Sequence, residues 1–376
     1  MKETAIYVHI PFCDHKCIYC DFYSIITSDN ISAYKEALLK EIEHYAELHS
    51  TDREIISIFF GGGTPSLMAP EYIAEILNSL KSKFSVLADA EITLETNPGT
   101  VDEQKLIDFK KAGINRISIG IQSFHKAELD FMTRIHDPET AIRTVENASK
   151  IGFDNISIDL IFNLPGQTKE MWRDNLKKAM ALPITHISPY SLILENGTIL
   201  NKMVLDGKVE LQDKDYDADL YETTISFLAE HGFQQYEVSN FCKPGFESVH
   251  NNAYWHYKDY LSFGTSSHSF LNGVRWKNAS SLKHYINLVE ANNHAAISEE
   301  ILTKEQMLEE YVMLAMRSNG LSTLSLTEKF GHEWLEINSE FINLLTENDL
   351  ITHSGGRICF TPKGYAICDE ILAKFQ

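Results

Sequence analysis

The first 200 residues alternate short apolar runs with amphipathic stretches, and this alternation constrains the fold more than any other feature. Each run is at most eight residues long and rich in isoleucine, which is typical of strands buried in a parallel sheet. Between the runs, apolar residues recur three and four positions apart, which predicts helices. Six strand-helix units in succession predict an α/β fold, a partial (β/α)6 barrel of the TIM type. The runs are residues 4–9, 55–60, 91–95, 116–122, 156–162 and 185–192.

Two of the predicted helices begin at recognisable capping sequences. Thr100 followed by Glu103 has the spacing of a capping box, and Asp137 precedes a proline that suits the first helical position. In folds with parallel strands, functional side chains collect at the carboxyl ends of the strands. Motifs that follow these ends are therefore the candidates for a functional site.

The pattern changes after residue 240, and we predict three parts, at 1–240, 241–300 and 301–376. The middle part is rich in Asn, Ser, Gly and aromatic residues without clean periodicity, and we interpret it as a connecting segment. The last part has helical runs followed by THSGGRICFTPKG, which predicts a hairpin and a mainly α, winged-helix-like domain. From residue 303 onward it carries six Lys or Arg against eleven Asp or Glu, which disfavours DNA binding there.

Charge and hydropathy disfavour further classes of protein. The formal net charge is −20 at pH 7, so nucleic acid is not expected as a partner. Only twelve residues precede Cys13, too few for a secretion signal, and no apolar run reaches the length of a membrane span. We therefore expect a cytoplasmic protein with no transmembrane segment.

Three of the six cysteines fall within eight consecutive positions, in CDHKCIYC at 13–20. In a reducing compartment such spacing favours a metal or redox site over disulfides. A structural zinc site needs a fourth ligand, which His9 or His15 could supply. An iron–sulfur cluster held by three thiolates would instead leave one iron open to an exchangeable molecule, and we favour this alternative. The other cysteines receive no role and are expected to be small buried residues: Cys242, Cys359 and Cys368.

Glycines and polar residues follow the ends of the other predicted strands. GGGTP at 61–65 follows the second strand, and its glycines let backbone amides approach a ligand closely. Glu95 ends the third strand, Gln122 ends the fourth, and Asp159 lies on the fifth. A polar side chain in an apolar parallel strand is costly unless it has a partner, so these residues predict one shared pocket.

These motifs resemble those of the radical S-adenosylmethionine (SAM) superfamily, in which the amino and carboxylate groups of SAM chelate the open iron. The resemblance implies a [4Fe–4S] cluster on Cys13, Cys17 and Cys20, and contact between GGGTP and the methionine part of SAM. Over nearly its whole length the chain is similar to the branch of oxygen-independent coproporphyrinogen III oxidases. The pattern of that branch implies a SAM site lined by Tyr7, Gly62, Gly63, Thr64, Glu95, Gln122, Arg134 and Asp159.

The sequence departs from the true oxidases of that branch at two points. Phe22 stands where they carry a further cysteine, and the chain begins almost at its first strand, without their long N-terminal extension. Both departures match the relatives called HemW, described as haem chaperones, whose motif His-Asn-x-x-Tyr-Trp occurs here as HNNAYW at 250–255. The resemblance implies a protein that binds haem and transfers it to an acceptor protein, with an electron donor if radical chemistry is used. The alternative is the oxidative decarboxylase, a coproporphyrinogen III dehydrogenase.

The HNNAYW segment supplies the candidate haem-binding residues. His250 offers a neutral imidazole to haem iron, and Asn251 could orient that imidazole or hold a propionate. Tyr254 and Trp255 provide flat apolar faces for a porphyrin. His268, in GTSSHSF, is an alternative iron ligand. An aromatic stretch with one histidine is more often core or interface than a haem site, so the family pattern carries this assignment.

Overall fold

A computed structural model describes residues 1–27 and 29–376. Six parallel strands follow one another in chain order, and each is followed by at least one helix, as the sequence predicts. The strands are β1 (Lys2–Ile10), β2 (Arg53–Gly62), β3 (Val86–Thr96), β4 (Arg116–Gln122), β5 (Asn155–Phe162) and β6 (His186–Ser191). The helices are α1 (Ile31–His49), α2 (Pro70–Lys83), α3 (Glu103–Ala112), α4 (Lys126–Phe131), α5 (Pro138–Ile151), α6 (Lys169–Met180) and α7 (Ile199–Leu205), with a 3-10 turn at Pro65–Leu67.

Of the two helix caps predicted from the sequence, one is present in the structure. Asp137 caps α5 by accepting a hydrogen bond from the Thr140 amide at 2.7 Å, which confirms that prediction. The prediction of a capping box at Thr100 is wrong, because Asp102 caps α3 and its side chain accepts a hydrogen bond from the amide of Lys105 at 2.8 Å. The Thr100 hydroxyl instead donates to the Asn97 carbonyl at 2.7 Å, so it closes the turn after β3.

Residues 241–300 contribute strands to the same sheet. Strand β9 (Asp259–Phe263) pairs parallel to β1 and buries Leu261 and Phe263, which lengthens the sheet beyond its first strand. The added elements are α8 (Lys214–Glu230), β7 (Gln234–Glu237), β8 (Asn240–Cys242), α9 (Val249–Trp255), β10 (His268–Leu271), β11 (Val274–Asn278), α10 (Leu282–Asn292) and β12 (Ala296–Ile301). In the described residues this sheet has twelve strands, in the order β12-β11-β10-β9-β1-β2-β3-β4-β5-β6-β8-β7.

The C-terminal residues form a second apolar core of their own, around Leu326, Ile342 and Ile358. The predicted hairpin is present, since Ile351–Ser354 and Arg357–Phe360 pair antiparallel across the turn at Gly355 and Gly356. The elements are α11 (Lys304–Met316), β13 (Leu321–Ser322), α12 (Thr323–Phe330), α13 (Glu333–Ile337), α14 (Ser339–Glu347), β14 (Ile351–Ser354), β15 (Arg357–Phe360), α15 (Pro362–Tyr365) and α16 (Cys368–Leu372). Nowhere in the described ranges does a helix combine the length and hydropathy needed to cross a bilayer.

Candidate cluster and cofactor site

The cysteine loop after β1 is held against the glycine loop after β2. The amide of Gly63 donates to the carbonyl of Ile10 at 2.7 Å, and the amide of Thr64 donates to the carbonyl of Phe12 at 2.8 Å. A Cβ atom on Gly63 would lie 2.7 Å from the Phe12 oxygen, closer than any real contact. Glycine at this position therefore lets the two loops pair, and it places the Thr64 hydroxyl 3.5 Å from the Cys13 sulfur.

The three thiols face one cleft at the carboxyl ends of the strands. The Cys13 amide donates to the carbonyl of Ile25 at 2.9 Å, and the Cys20 amide donates to that of Cys17 at 3.2 Å. Burial raises the pKa of Cys13 and of Cys20. The guanidinium of Arg134 lies 3.6 Å from the Cys17 sulfur, which places a cation beside the cysteine loop.

The histidines that a zinc site would need make other bonds. Nε2 of His9 lies 3.0 Å from the carbonyl of Tyr23, and Nε2 of His15 lies 3.1 Å from the Thr133 hydroxyl. Among residues 1–27 and 29–376, no three His, Cys, Asp or Glu side chains are grouped to hold a single metal ion. His15 lines the same cleft as the thiols, but its Nε2 is engaged with the Thr133 hydroxyl.

Glu95 and Asp159 form the acidic side of the cleft. The Gly62 amide donates to Oε2 of Glu95 at 3.2 Å, and the φ of Gly62 is 110°, a conformation that favours glycine. Removal from bulk water, together with the charge of Asp159, raises the pKa of Glu95 to about 8. The same removal raises the pKa of Asp159 to about 6, although Arg116 opposes this. A cationic ligand bound beside the two carboxyls would favour their ionised forms.

Arg134 links four parts of the site. Its Nη2 donates to the carbonyl of Gly120 at 2.5 Å and to Oδ1 of Asn97 at 2.6 Å. Asn97 in turn donates to the Thr64 hydroxyl at 2.9 Å. The guanidinium therefore joins the ends of β3 and β4 to the cysteine and glycine loops, a role that its position after a helical turn does not reveal.

Most of the residues that the family pattern implies for the cluster and SAM line this cleft. Together with the solvent at its open mouth, the cleft spans about 760 Å³. Tyr7 is not part of its wall and lies beside Gly61, with its hydroxyl 3.2 Å from Nδ1 of His9. The predicted residues in the wall are Cys13, Cys17, Cys20, Gly62, Gly63, Thr64, Glu95, Gln122, Arg134 and Asp159.

Asn97 and Ser118 are among the wall residues that were not predicted from the sequence. Asn97 directly follows β3 within ETNPG. Its position after a strand end could have identified it as a candidate site residue. Ser118 lies inside β4 opposite Glu95 in the strand register, and only the pairing of β3 with β4 brings it to the cleft.

The HNNAYW segment forms α9, a helix that packs on β1, β2 and β9. The side chain of His250 is 2% exposed, and its ring stacks on Phe59 with centroids 4.9 Å apart. Its Nδ1 lies 3.0 Å from the Ser57 hydroxyl, and its Nε2 lies 3.0 Å from the Tyr254 hydroxyl. Burial lowers the pKa of His250 to about 3, so the imidazole is neutral. Both ring nitrogens are occupied within the fold.

The start of α9 is held by Glu91 on β3, a residue not predicted from the sequence. Its carboxylate accepts from the amide of His250 at 3.1 Å and from that of Val249 at 3.2 Å. Asn251 and Trp255 are partly exposed, and His268 on β10 is exposed. The segment therefore presents amide and indole groups at the surface while its imidazole is enclosed.

Comparison with known proteins agrees with this geometry. Residues 7–179 match the Radical SAM superfamily, and residues 302–367 match the HemN C-terminal domain. The structure of coproporphyrinogen III oxidase (HemN) from Escherichia coli, a radical SAM enzyme, has a TM-score of 0.85 at 26% identity, and the match covers 100% of this chain and 90% of that one. Fold and cleft define a radical SAM protein, a class that implies a [4Fe–4S] cluster and SAM.

The relatives place the chain within that class. It is 35% identical to the heme chaperone HemW of Lactococcus lactis, over 100% of this chain and 97% of the relative. It is 34% identical to the heme chaperone HemW of Bacillus subtilis, over 99% of this chain and 98% of the relative. The chain belongs to the HemW family.

Proposed function

We propose that this protein is a haem chaperone on a radical SAM scaffold, which binds haem in the cytoplasm and passes it to an acceptor protein. Its relatives over the full length are named heme chaperones. The observation in the structure that carries the proposal is at Phe22, which stands where the oxidases have a further cysteine. Its side chain is 64% exposed and lies at the wall of the cleft, so it adds no ligand there.

The [4Fe–4S] cluster is held by Cys13, Cys17 and Cys20 in this proposal. Three thiols that face one cleft, with a guanidinium beside one of them, suit an anionic cluster. When bound, the cluster supplies an open iron and an electron. Arg134 offsets the negative charge of the thiolates, and the paired loops keep the sulfurs in place while the cluster is absent.

SAM is held by the remaining wall residues. The GGGTP loop contacts the methionine part in this proposal. Gly62 and Gly63 let this loop lie against β1 and the cysteine loop, because a Cβ on either would collide with atoms of residues 9–12. Glu95, Gln122 and Asp159 offer hydrogen-bond acceptors to the amino and hydroxyl groups of SAM. Tyr7, which lies beside Gly61, is a positioning residue for that loop.

The alternative function, oxidation and decarboxylation of coproporphyrinogen III, is supported by the similarity to the Escherichia coli oxidase over the whole chain. It requires an electron donor and a porphyrinogen pocket beside the SAM site. The two functions give different products: carbon dioxide in one case, and haem bound to a second protein in the other.

The test is anaerobic reconstitution followed by haem transfer to a haem-free globin, which serves as a model acceptor. We expect the wild-type chain to bind one haem and to load the globin, without releasing carbon dioxide from coproporphyrinogen III in the presence of SAM and dithionite. Carbon dioxide release without haem binding would overturn the proposal in favour of the oxidase.

Cysteine variants test the cluster ligands in the same preparation. We expect the Cys17→Ser variant to retain less than about a quarter of the iron and sulfide of the wild type, because two thiolates hold a cubane poorly. Cys242→Ser is the matched control, since Cys242 is fully buried on β8 and away from the cleft. Equal iron content in both variants would exclude Cys17 as a ligand.

A further inference from the structure

A groove in the C-terminal part of the chain, which we call the acidic groove, shares no residue with the cleft of the thiols. It is lined by α11, α13 and α16 and by the residues that follow α16. The lining runs from Glu305 in the first turn of α11 to Arg317 at its end, so the groove is about 18 Å long. Within the described ranges no strand lines it, so a partner meets helices and not a sheet edge.

Apolar side chains in the acidic groove are open to solvent. Ile337, the last residue of α13, is 60% exposed, and Leu308 and Met313 of α11 are half-buried. Trp334 is buried and packs against the half-buried Phe375, with ring centroids 5.0 Å apart. An apolar strip that stays open between helices is the kind of surface that accepts the apolar face of another helix.

Specific contacts hold the helices around the acidic groove. The side chain of Asn338 donates to the Gln376 carbonyl at 2.9 Å and accepts from the Gln376 amide at 3.0 Å, which holds the last residues against the end of α13. Arg275 on β11 donates to both carboxylate oxygens of Glu310 at 2.7 Å, which fixes α11 to the sheet. The groove is therefore preformed, so a partner spends little free energy on ordering it.

Carboxylates surround the apolar strip. Among the described residues, five acidic side chains line the acidic groove against one basic side chain, Arg317. Arg317 is already paired with Asp369, whereas Glu309 and Glu333 are exposed. From residue 303 onward the chain carries eleven acidic residues against six basic ones, so the surrounding surface has the same sign. A partner that presents Lys or Arg beside an apolar face is complementary to this groove, and an acidic partner is repelled.

We propose that the acidic groove binds a partner protein through a basic amphipathic helix of about three turns. Apolar residues along one face of that helix contact Leu308, Met313 and Ile337, and Lys or Arg residues beside that face pair with Glu309 and Glu333. A second copy of this chain is a poorer occupant, because its net charge is −20 and the two acidic surfaces would repel each other.

The experiment is a titration of a fluorescent peptide with the full-length chain, followed by fluorescence anisotropy. The peptide is synthetic and about 18 residues long, with leucines along one helical face and lysines elsewhere. One control peptide has the same composition with its leucines spread around the helix, and a second has glutamate in place of lysine. We expect the first peptide to bind more tightly than either control.

Variants of the chain locate the binding site. Ile337→Lys puts a cation on the apolar strip, and Leu344→Lys, at an exposed position of α14 outside the groove, is its matched control. The double change Glu309→Gln with Glu333→Gln removes two exposed charges from the groove. Its control is the double change at two exposed positions of α14, Glu340→Gln with Glu347→Gln. Circular dichroism checks that all four variants are folded.

We expect Ile337→Lys to lose at least about tenfold in affinity for the peptide, because a charge on the strip opposes its burial. The double change at Glu309 and Glu333 should lose about threefold and make binding less sensitive to salt. Both controls should bind as the wild type does.

Three results would overturn the inference: no binding by the wild type at about 1 mM, equal affinity in Ile337→Lys and the wild type, or tighter binding of the glutamate peptide. A wild-type dimer that dissociates in Ile337→Lys, measured by analytical ultracentrifugation, would also overturn it and assign the groove to a second copy. The titration contains no haem, so these results leave the proposed function intact, and a failure of haem transfer leaves the groove intact.

Discussion

Nδ1 of His250 lies 3.0 Å from the hydroxyl of Ser57, so the histidine of HNNAYW is bonded to the second strand of the barrel. The other ring nitrogen meets Tyr254, and the ring face meets Phe59. The imidazole thus ties α9 to the sheet. This arrangement gives the motif a structural role that any haem experiment must separate from ligation.

The change His250→Ala is expected to destabilise the protein. It leaves the hydroxyls of Ser57 and Tyr254 without their partner and opens a cavity beside Phe59, which together cost about 3 kcal/mol in the free energy of unfolding. Urea unfolding followed by circular dichroism measures the loss. The matched change His353→Ala on exposed β14 should stay within about 0.5 kcal/mol of the wild type. A loss of the same small size at His250 would contradict the structural role.

The change Arg134→Lys is expected to weaken SAM binding. A lysine cannot donate at once to the Gly120 carbonyl, the Asn97 side chain and the Cys17 sulfur, so the strand ends lose their link to the cysteine loop. We expect the dissociation constant for SAM to rise about tenfold, measured by equilibrium dialysis on reconstituted protein. Arg143→Lys, on the exposed face of α5, is the control and should leave it unchanged.

The change Gly63→Ala is expected to separate the cysteine and glycine loops. Its Cβ would lie 2.7 Å from the Phe12 oxygen and 2.9 Å from the Ile10 oxygen, both backbone atoms that cannot move alone. Iron bound after reconstitution should therefore fall below about half of the wild-type value. Gly166→Ala is the comparison, because that glycine has a positive φ but open space around it. Equal iron in the two variants would show that the loop pairing does not matter for the cluster.

The change Glu95→Gln is expected to alter how stability depends on pH. The pKa of Glu95 is about 8 in the folded protein, against an ordinary value of 4.5. Between these values the folded state holds a proton that the unfolded state has released, so stability falls as pH rises and levels off above pH 8. Glutamine removes this contribution.

The cluster-free Glu95→Gln protein should therefore gain roughly 2 kcal/mol relative to the wild type between pH 5 and pH 9, allowing for water in the cleft. Urea unfolding at both pH values measures the difference. Glu71→Gln, at the start of α2 and exposed to solvent, serves as the control and should show no such gain. A constant difference between Glu95→Gln and the wild type at both pH values would contradict the raised pKa.

Several features followed from the sequence because their causes are local. The six parallel strands, the hairpin and the cap at Asp137 depend on residue spacing within one element. The cysteine loop and GGGTP were expected at the carboxyl ends of β1 and β2, and they lie there. The expected burial of the remaining cysteines holds for Cys242 and Cys368, while Cys359 is only partly buried.

Other features required the tertiary structure because they join residues far apart in the chain. Residues 259–263 have little strand pattern of their own, and the pairing with β1 makes them a strand. Glu91 reaches α9 across more than 150 positions to cap it, which no local motif indicates.

The amino-acid sequence by itself determined the order of the barrel elements, the three clustered thiols and the glycines that a close approach of two loops demands. The tertiary structure alone decided which imidazoles are enclosed and which are open. His250 is enclosed between Ser57 and Tyr254, whereas His44 and His49, near the end of α1, are partly exposed. The physical reason is that the hydrogen-bond partners and the exposure of a side chain depend on residues from distant strands and helices, which only packing brings together.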